Sequence, residues 1–341
     1  AQIQLDQVTA KYLATEQKMI LKIIESYLSV HKSRRDVVLK LSNLKRLDAH
    51  VNAARIRVEA GAVTPTRFAE AEARYARARS DALSAETVLQ NAEDVFKSLT
   101  GLTPSKLLLP AIPKDLPQKI NEAEKLASLS HPQVKAALAA ERAAEQSFNT
   151  LRAAVSPTLS LSLSATSKDA TGSSSDSDVL AGSLVFSTPI LSSNATRAKA
   201  RNVAAIHQQA KFARKEAMRA VEVAARAAFR TEQSARINLE AVQRELKASK
   251  LVASGIASEA QFGQRTTLDL LDAEQDVNYT ELRLVKAEHS IRLAAFRLQA
   301  AIGELTADKM GFGNVLGDLR DMPAVVDPFS ATFPFSRIRN E

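Results

Sequence analysis

The apolar positions that follow residue 269 recur at alternating steps of three and four. Leu270, Ala273, Val277, Thr280, Leu284, Ala287, Ile291, Ala294, Leu298 and Ala301 form one row in which only Thr280 is polar. A row held at that spacing has a period of 3.5 residues, which predicts a helix packed lengthwise against other helices in the manner of a coiled coil. Moving back 202 residues gives Phe68, Ala71, Tyr75, Ala78, Ala82, Ala85, Leu89, Ala92, Phe96 and Leu99, all of them apolar. The same offset pairs Gly263 with Gly61, Gly303 with Gly101, Ala273 with Ala71, Glu274 with Glu72 and Phe229 with Tyr27, and no gap is needed. The pattern predicts a duplicated helical hairpin. Alanine at many row positions favours close helix approach and a thin layer over a broad globular core.

Each copy contains a turn. In the run Phe262 to Gln275, Gly263 suits the left-handed residue that ends a helix, Thr266 can cap the next helix, and Asp269 three residues on completes a capping-box arrangement. In the earlier copy Gly61 ends a helix, Thr64 is the cap, and Pro65 takes the first helical position, where its missing N–H costs nothing.

The remaining elements follow from the same reading. Residues 1 to about 60 lack Gly and Pro until Gly61, and Leu44, Leu47, Val51, Ala54 and Val58 keep the three-four spacing. A helix of ~60 residues at 1.5 Å each is a rod of ~90 Å. A second helix runs to about Leu99 and stops at Thr100-Gly101. Leu109 to Pro117 carries three prolines and reads as an extended connector between the repeats. A short helix near Ile120 to Leu129 precedes Ser130-His131-Pro132-Gln133, and from Pro132 a helix continues to about Val155. The period then drops to two. From Pro157 to Ala165 leucine alternates with serine, Lys168 to Asp178 is a Ser/Gly/Asp-rich loop, and Val179 to Thr188 returns with Leu180, Gly182, Leu184 and Phe186 on one face. A strand with lipid on one side and water on the other needs this pattern over ~9–11 residues, as does any half-buried strand of a soluble protein. From Asn194 a helix with Leu239, Val242 and Leu246 on its row runs to Phe262 and mirrors the first rod. Past Gly303 the chain is irregular, and Phe329, Phe333 and Phe335 are expected to anchor a tail draped over the helices.

Composition narrows the function classes. The chain has 341 residues, 45% hydrophobic, with no Trp and only 5% aromatic residues, which argues against bulky cores. A net charge of +8 raises the question of nucleic acid or anionic lipid. Lys and Arg are instead interleaved with acidic residues along helix faces, so they read as solvated faces and no nucleic-acid partner is expected. Without cysteine there is neither a disulfide framework nor a thiolate metal site. His31, His50, His131, His207 and His289 show no metal-ligand spacing, and no phosphate loop or nucleophile motif is present, so no metal, cofactor or enzymatic activity is expected. No run approaches the ~18 apolar residues of a spanning helix, and no signal peptide opens the chain. If a membrane is crossed, strands cross it.

The duplicated turns, the rods and the serine-leucine hairpin together resemble the TolC family of outer-membrane efflux and secretion channels. The residues that carry the resemblance are Gly263 with Arg265 to Gln275, the Gly61 copy, His131-Pro132-Gln133-Val134, Ser156-Pro157-Thr158-Leu159 and Thr188-Pro189-Ile190-Leu191, across roughly Tyr27 to Gly303. The resemblance implies a mainly α fold whose long coiled-coil-like helical hairpins build an α-barrel across the periplasm of a Gram-negative bacterium. A β-hairpin would contribute to a trimeric transmembrane β-barrel of about twelve strands, roughly four from each subunit. In that arrangement 1–101 is the first-repeat hairpin, 102–130 an equatorial connector, 131–156 a helix leading to the membrane, 157–190 the barrel hairpin, 191–303 the second-repeat hairpin and 304–341 the tail. Leu159, Leu161, Leu163, Leu180, Leu184 and Phe186 would face outer-membrane lipid. The offset puts the counterparts of Pro157 and Val179 before residue 1, which predicts a chain lacking the first hairpin and unable alone to close such a barrel.

By resemblance the partners are two further copies of the chain, a periplasmic adaptor protein and an inner-membrane transporter. Gly61, Ala62, Val63, Thr64, Gly263, Gln264 and Thr266 would form the periplasmic tip that meets the adaptor. Asp269 and Asp272 correspond to carboxylates ringing a closed aperture, and Arg265 to a basic residue that latches it. Both carboxylates would equally stabilise a helix N-terminus through its dipole. The chain departs from the family where Ala60-Gly61-Ala62 replaces larger apolar residues, where Arg67 stands in place of an acidic latch partner, where Ala260 replaces an aromatic, and where Ser192-Ser193 replaces a glycine pair. The rival reading is a periplasmic coiled-coil adaptor or a structural helical rod, which accounts for the rows but not for two superimposable turns beside a serine-leucine hairpin.

Overall fold

The computed structural model describes residues 2–113, 115–154, 156–168, 177–188 and 194–311. The expectations for most of the Ser/Gly/Asp-rich loop, at 169–176, for Pro189 to Ser193 and for the tail with Phe329, Phe333 and Phe335 lie outside the described residues. In order the elements are α1 (Gln2–Glu59), α2 (Pro65–Thr100), α3 (Ile120–Ser130), α4 (Pro132–Ala154), β1 (Thr158–Lys168), β2 (Ser177–Ser187), α5 (Asn194–Gln261) and α6 (Thr267–Ala301). At 68 residues α5 is about 100 Å long. The chain divides into two compact units, Ala1–Lys11 with Pro132–Ala220, and Tyr12–His131 with Val221–Glu341.

In the second of these units the repeat is visible in how helices end. Gly61 and Gly263 have φ of 69° and 74°, and Gly101 and Gly303 have 72° and 77°. At the end of α1 the amides of Gly61 and Ala62 donate to the carbonyls of Val58 and Arg57, at 2.9 and 2.8 Å. At the end of α5 those of Gly263 and Gln264 donate to Ala260 and Glu259, at 3.1 and 3.0 Å. Both are the paired closure in which a left-handed residue lets two orphan carbonyls find donors. A Cβ at that φ is strained, so glycine is selected at each bend.

Packing follows the rows read from the sequence, with one addition. The buried residues of α2 are Ala71, Ala78, Ala82, Ala85 and Phe96, all members of its row. On α6 the row members Ala273, Thr280, Ala287, Ile291, Ala294 and Leu298 are buried, and so are Leu271, Asn278 and Val285 one position further on. The helix therefore buries a second stripe, because it has neighbours on more than one side. Arg283 and Lys250 mark α5 on one flank, through Arg283–Glu245 at 2.5 Å and Lys250–Glu281 at 2.8 Å. Arg297–Glu25 at 2.8 Å and Arg35–Glu288 mark α1 on the other.

One cluster of bulky side chains brings Leu28, Phe296, Ala300 and Leu305 together with Ile24, Leu109 and Met310. The described residues of 102–117, which include the proline-rich connector, lie against these helices and pair with no strand. Its carbonyls instead take side-chain donors: Tyr27 Oη to Leu108 O at 2.6 Å, Arg34 Nη2 to Pro104 O at 2.6 Å and Arg292 Nε to Pro110 O at 3.1 Å. Such bonds answer the requirement that irregular backbone near a core be hydrogen-bonded. Gly303 sits against the α3–α4 junction, and a Cβ there would come within 2.5 Å of His131 Cα.

In the other unit β1 and β2 pair antiparallel, with Leu159 opposite Phe186, Leu161 opposite Leu184, Leu163 opposite Gly182 and Ala165 opposite Leu180. The alternate face carries Ser160 with Val185, Ser162 with Ser183 and Ser164 with Ala181. The strands run further than the leucine-serine alternation, into Lys168 and Ser177, because ladder pairing needs backbone alone and continues through Thr166, Ser167 and Asp178. Each strand has 11 residues. The apolar face is open, with Leu161 69% and Leu180 77% exposed. Among the described residues no helix is long and apolar enough to cross a membrane.

Candidate functional site at the paired turns

The two glycine bends are neighbours. A groove of about 780 Å³ lies between them, with Ala62, Val63 and Thr64 from the first bend and Ala260, Arg265 and Thr266 from the second among its walls. Arg57, near the end of α1, donates from Nη1 to Thr267 Oγ1 at 3.3 Å and ties one bend to the other. Gly61, Ala62, Thr64, Gly263, Gln264 and Thr266 are exposed and Val63 is half-buried. Two chain reversals side by side at one end follow from the repeat, since equal offsets place equivalent turns at equivalent heights.

The two caps differ in chemistry. At α6 Thr266 Oγ1 accepts from the Asp269 amide at 3.2 Å, and Asp269 Oδ2 accepts from the Thr266 amide at 2.9 Å and from its hydroxyl at 2.8 Å. At α2 Thr64 occupies the cap position with extended backbone, but its side chain makes no cap hydrogen bond. Arg67 stands where Asp269 stands in the second copy and offers no oxygen to hold the hydroxyl in place.

Hydrogen bonds from the Thr266 amide, then from its hydroxyl, hold the Asp269 carboxyl below the ordinary carboxylate range, with help from Arg265 and Arg67. A depressed folded-state value means that this cap's stabilisation is complete above the ordinary carboxylate pKa and is lost as pH falls through the folded value. Protection of the 262–270 backbone against hydrogen exchange, corrected for intrinsic rates, is expected to fall over that acidic window. In Asp269→Asn the step disappears. Thr266→Ala should cost about 1 kcal/mol, whereas Thr64→Ala should cost only a few tenths, a contrast that thermal unfolding of the two variants measures.

The remaining charged residues form definite pairs. Arg265 Nε lies 2.7 Å from Glu259 Oε2 at the end of its own hairpin's first helix, a contact that raises the Arg265 pKa. Asp272 is paired with Arg74 of α2, Nη2 to Oδ1 at 2.7 Å, and the same guanidinium donates from Nη1 to Gln275 Oε1 at 3.1 Å. His50 Nε2 of α1 lies 3.1 Å from Glu274 Oε2 of α6. The sequence reading singled out Arg265, Asp269 and Asp272 but missed Arg74 and His50. One signal was available: at an offset of 202 Arg74 corresponds to Asp276, so the repeat reverses its charge beside the row where the two copies meet.

Comparison with known proteins identifies the family. The family model described as "Outer membrane efflux protein" matches residues 1–102 and 125–304, which include both turns, both rods and the strand pair. Among known proteins the chain is similar to the outer membrane efflux protein BepC of Brucella suis, 30% identical over 298 residues that cover 87% of this chain and 65% of BepC. Its fold matches the CmeC outer membrane channel of Campylobacter jejuni with a TM-score of 0.74 at 14% identity, covering 89% of this chain and 66% of CmeC. It also matches the open state of the MtrE outer membrane channel of Neisseria gonorrhoeae with a TM-score of 0.72 at 21% identity, covering 89% and 71%. The chain spans about two thirds of the length of the curated relatives it matches. With the repeat, the neighbouring bends and the family match all resting on the same stretches, the chain belongs to the outer membrane efflux protein family.

Proposed function

We propose that the protein to which this chain belongs is an exit duct: a homotrimer whose helical hairpins enclose a water-filled passage through the periplasm and whose strands line a pore in the outer membrane. The observation that carries this reading is the pair of glycine bends sharing one end around a common groove. A duplicated hairpin whose reversals lie level can be repeated around an axis to make a wall with one tip. The β1–β2 hairpin, apolar on one face and open on it, is the part that lipid would cover.

In this reading the bends at Gly61–Thr64 and Gly263–Thr266 receive a periplasmic adaptor, and an inner-membrane transporter supplies the energy, because a passive duct has no chemistry of its own. Asp269 and Asp272, three residues apart on one face of α6, would stand in three copies around the axis and set up a negative field that draws cations.

The test is the native protein solubilised from outer membranes. It should migrate as a trimer and conduct in planar lipid bilayers in KCl. Recovery as a monomer from the soluble or inner-membrane fraction, with no conductance, would favour the adaptor or rod reading.

A further inference from the structure

From the geometry at the tip we infer that Arg74, a residue of the first repeat, is the clamp that holds α6 closed against α2 and the counter-charge that sets how strongly the aperture prefers cations. This inference rests on the exit-duct reading above and specifies where its gate is held. Arg265, the basic residue that resemblance nominates, is occupied by Glu259 on its own hairpin and makes no link to the first repeat through that pair. Arg74 does make one. Its two terminal nitrogens reach two side chains one turn apart on α6, Asp272 at 2.7 Å and Gln275 at 3.1 Å, a forked grip that fixes direction as well as distance.

The grip has mechanical and electrical consequences. Asp272 remains 58% exposed on its side chain while Arg74 is 28% exposed, so the carboxylate meets water more freely than the guanidinium that holds it. An ion pair this exposed contributes little to overall stability. Three symmetric copies on one moving ring act together: if loss of each shifts the closed-to-open ratio about twofold, loss of all three shifts it about eightfold. The same pairing cancels much of the field of Asp272, whereas Asp269 keeps its charge in the cap. An aperture lined by both acids is therefore closer to one effective negative charge per subunit than to two.

The groups around the clamp sharpen the case. His50 with Glu274 is a further contact between the repeats, made from α1, as is Arg57 with Thr267. Asp276 and Arg77 flank the groove beside the Arg74–Asp272 pair. Arg57 reaches Thr267, and the charge of Arg67 acts on Asp269, so the grip on Asp272 is that of Arg74.

The experiment is single-channel recording in KCl from native trimer, Arg74→Gln, Asp272→Asn and the charge swap Arg74→Asp with Asp272→Arg. Both single variants should raise mean current through loss of the clamp, by up to about eightfold from a native channel that is closed most of the time, and the swap should return it toward the native level. Reversal potentials in a KCl gradient separate the electrical role: Arg74→Gln should increase cation preference and Asp272→Asn should not. Native-like current in Arg74→Gln, or a swap that conducts as freely as the single variants, overturns the clamp. Equal reversal potentials in all four proteins overturn the counter-charge. Should native trimer itself form no pore, the exit-duct reading fails, and the clamp is then read from tryptic cleavage after Arg265, which Arg74→Gln should accelerate and the swap should slow again.

Discussion

Gly303→Ala is expected to destabilise the protein by about 2–5 kcal/mol, while Gly101→Ala, the same change at the equivalent position of the other repeat, costs about 1–2 kcal/mol. Both glycines are left-handed, with φ of 77° and 72°, so both variants carry the strain of a Cβ in that region. Only Gly303 is also crowded. Its added carbon would meet His131 Cα at 2.5 Å, His131 N at 2.7 Å and the carbonyl carbon of Ser130 at 2.8 Å, whereas nothing lies within 4 Å of the same atom on Gly101. All three neighbours are backbone and none can swing aside. They belong to the junction where α3 ends and Pro132 begins α4, so relief requires moving a helix end. The amides of Gly303 and Glu304 also donate to the Ala300 and Gln299 carbonyls at 2.9 Å, a closure that displacement would break. Thermal unfolding of the two variants side by side checks the contrast; equal losses would show that backbone strain alone accounts for both.

The parts of this fold that were legible in the sequence are those governed by local or periodic rules. The rows on α2 and α6, the glycine bends, proline at the first position of α2 and α4, and alternation in the strands each express a constraint that a single segment imposes on itself. Duplication then linked the segments, since two copies of one pattern at a constant offset imply two copies of one structure. What the sequence left hidden depends on which side chains meet after the helices pack. Arg265 had several acids within reach of an extended guanidinium, and Glu259 holds it because the closure at Gly263 brings the end of α5 back beside the bend. Arg74 finds Asp272 only once α2 and α6 lie alongside. Thr64 shows the limit of a local rule: the residue is at the cap, yet with Arg67 in place of an acid its hydroxyl has nothing to reciprocate. The second buried stripe of α6 was unreadable for the same reason, because Leu271, Asn278 and Val285 form a row only for a helix with more than one neighbour.

The strand pair gives a second large expected effect, on which the membrane reading stands by itself. In the exit-duct reading, Leu161→Arg should reduce the amount of trimer in the outer membrane to roughly a tenth or less, and Ser160→Arg one residue away should leave it nearly unchanged. Leu161 lies mid-strand opposite Leu184, on the face shared with Leu159, Leu163, Leu180 and Phe186, while Ser160 points to the other side, opposite Val185. If the leucine face meets lipid, arginine near the middle of the hydrocarbon layer costs about 2–4 kcal/mol, and a cost of 1.4 kcal/mol already amounts to about a factor of ten. In that case the opposite face turns to a water-filled lumen, where the same arginine would keep its hydration. A half-buried soluble strand gives a different outcome, because its apolar face would be covered by protein and an arginine there would unfold the hairpin without regard to membrane insertion. Immunoblots of outer-membrane and periplasmic fractions distinguish the cases: Leu161→Arg accumulating as folded, protease-resistant protein in the periplasm points to failed insertion. Equal tolerance of both substitutions would mean that neither face contacts hydrocarbon. The open leucines, 66% to 70% exposed at 159, 161 and 163, would then need a different cover, since a contiguous apolar face of this kind does not persist against water.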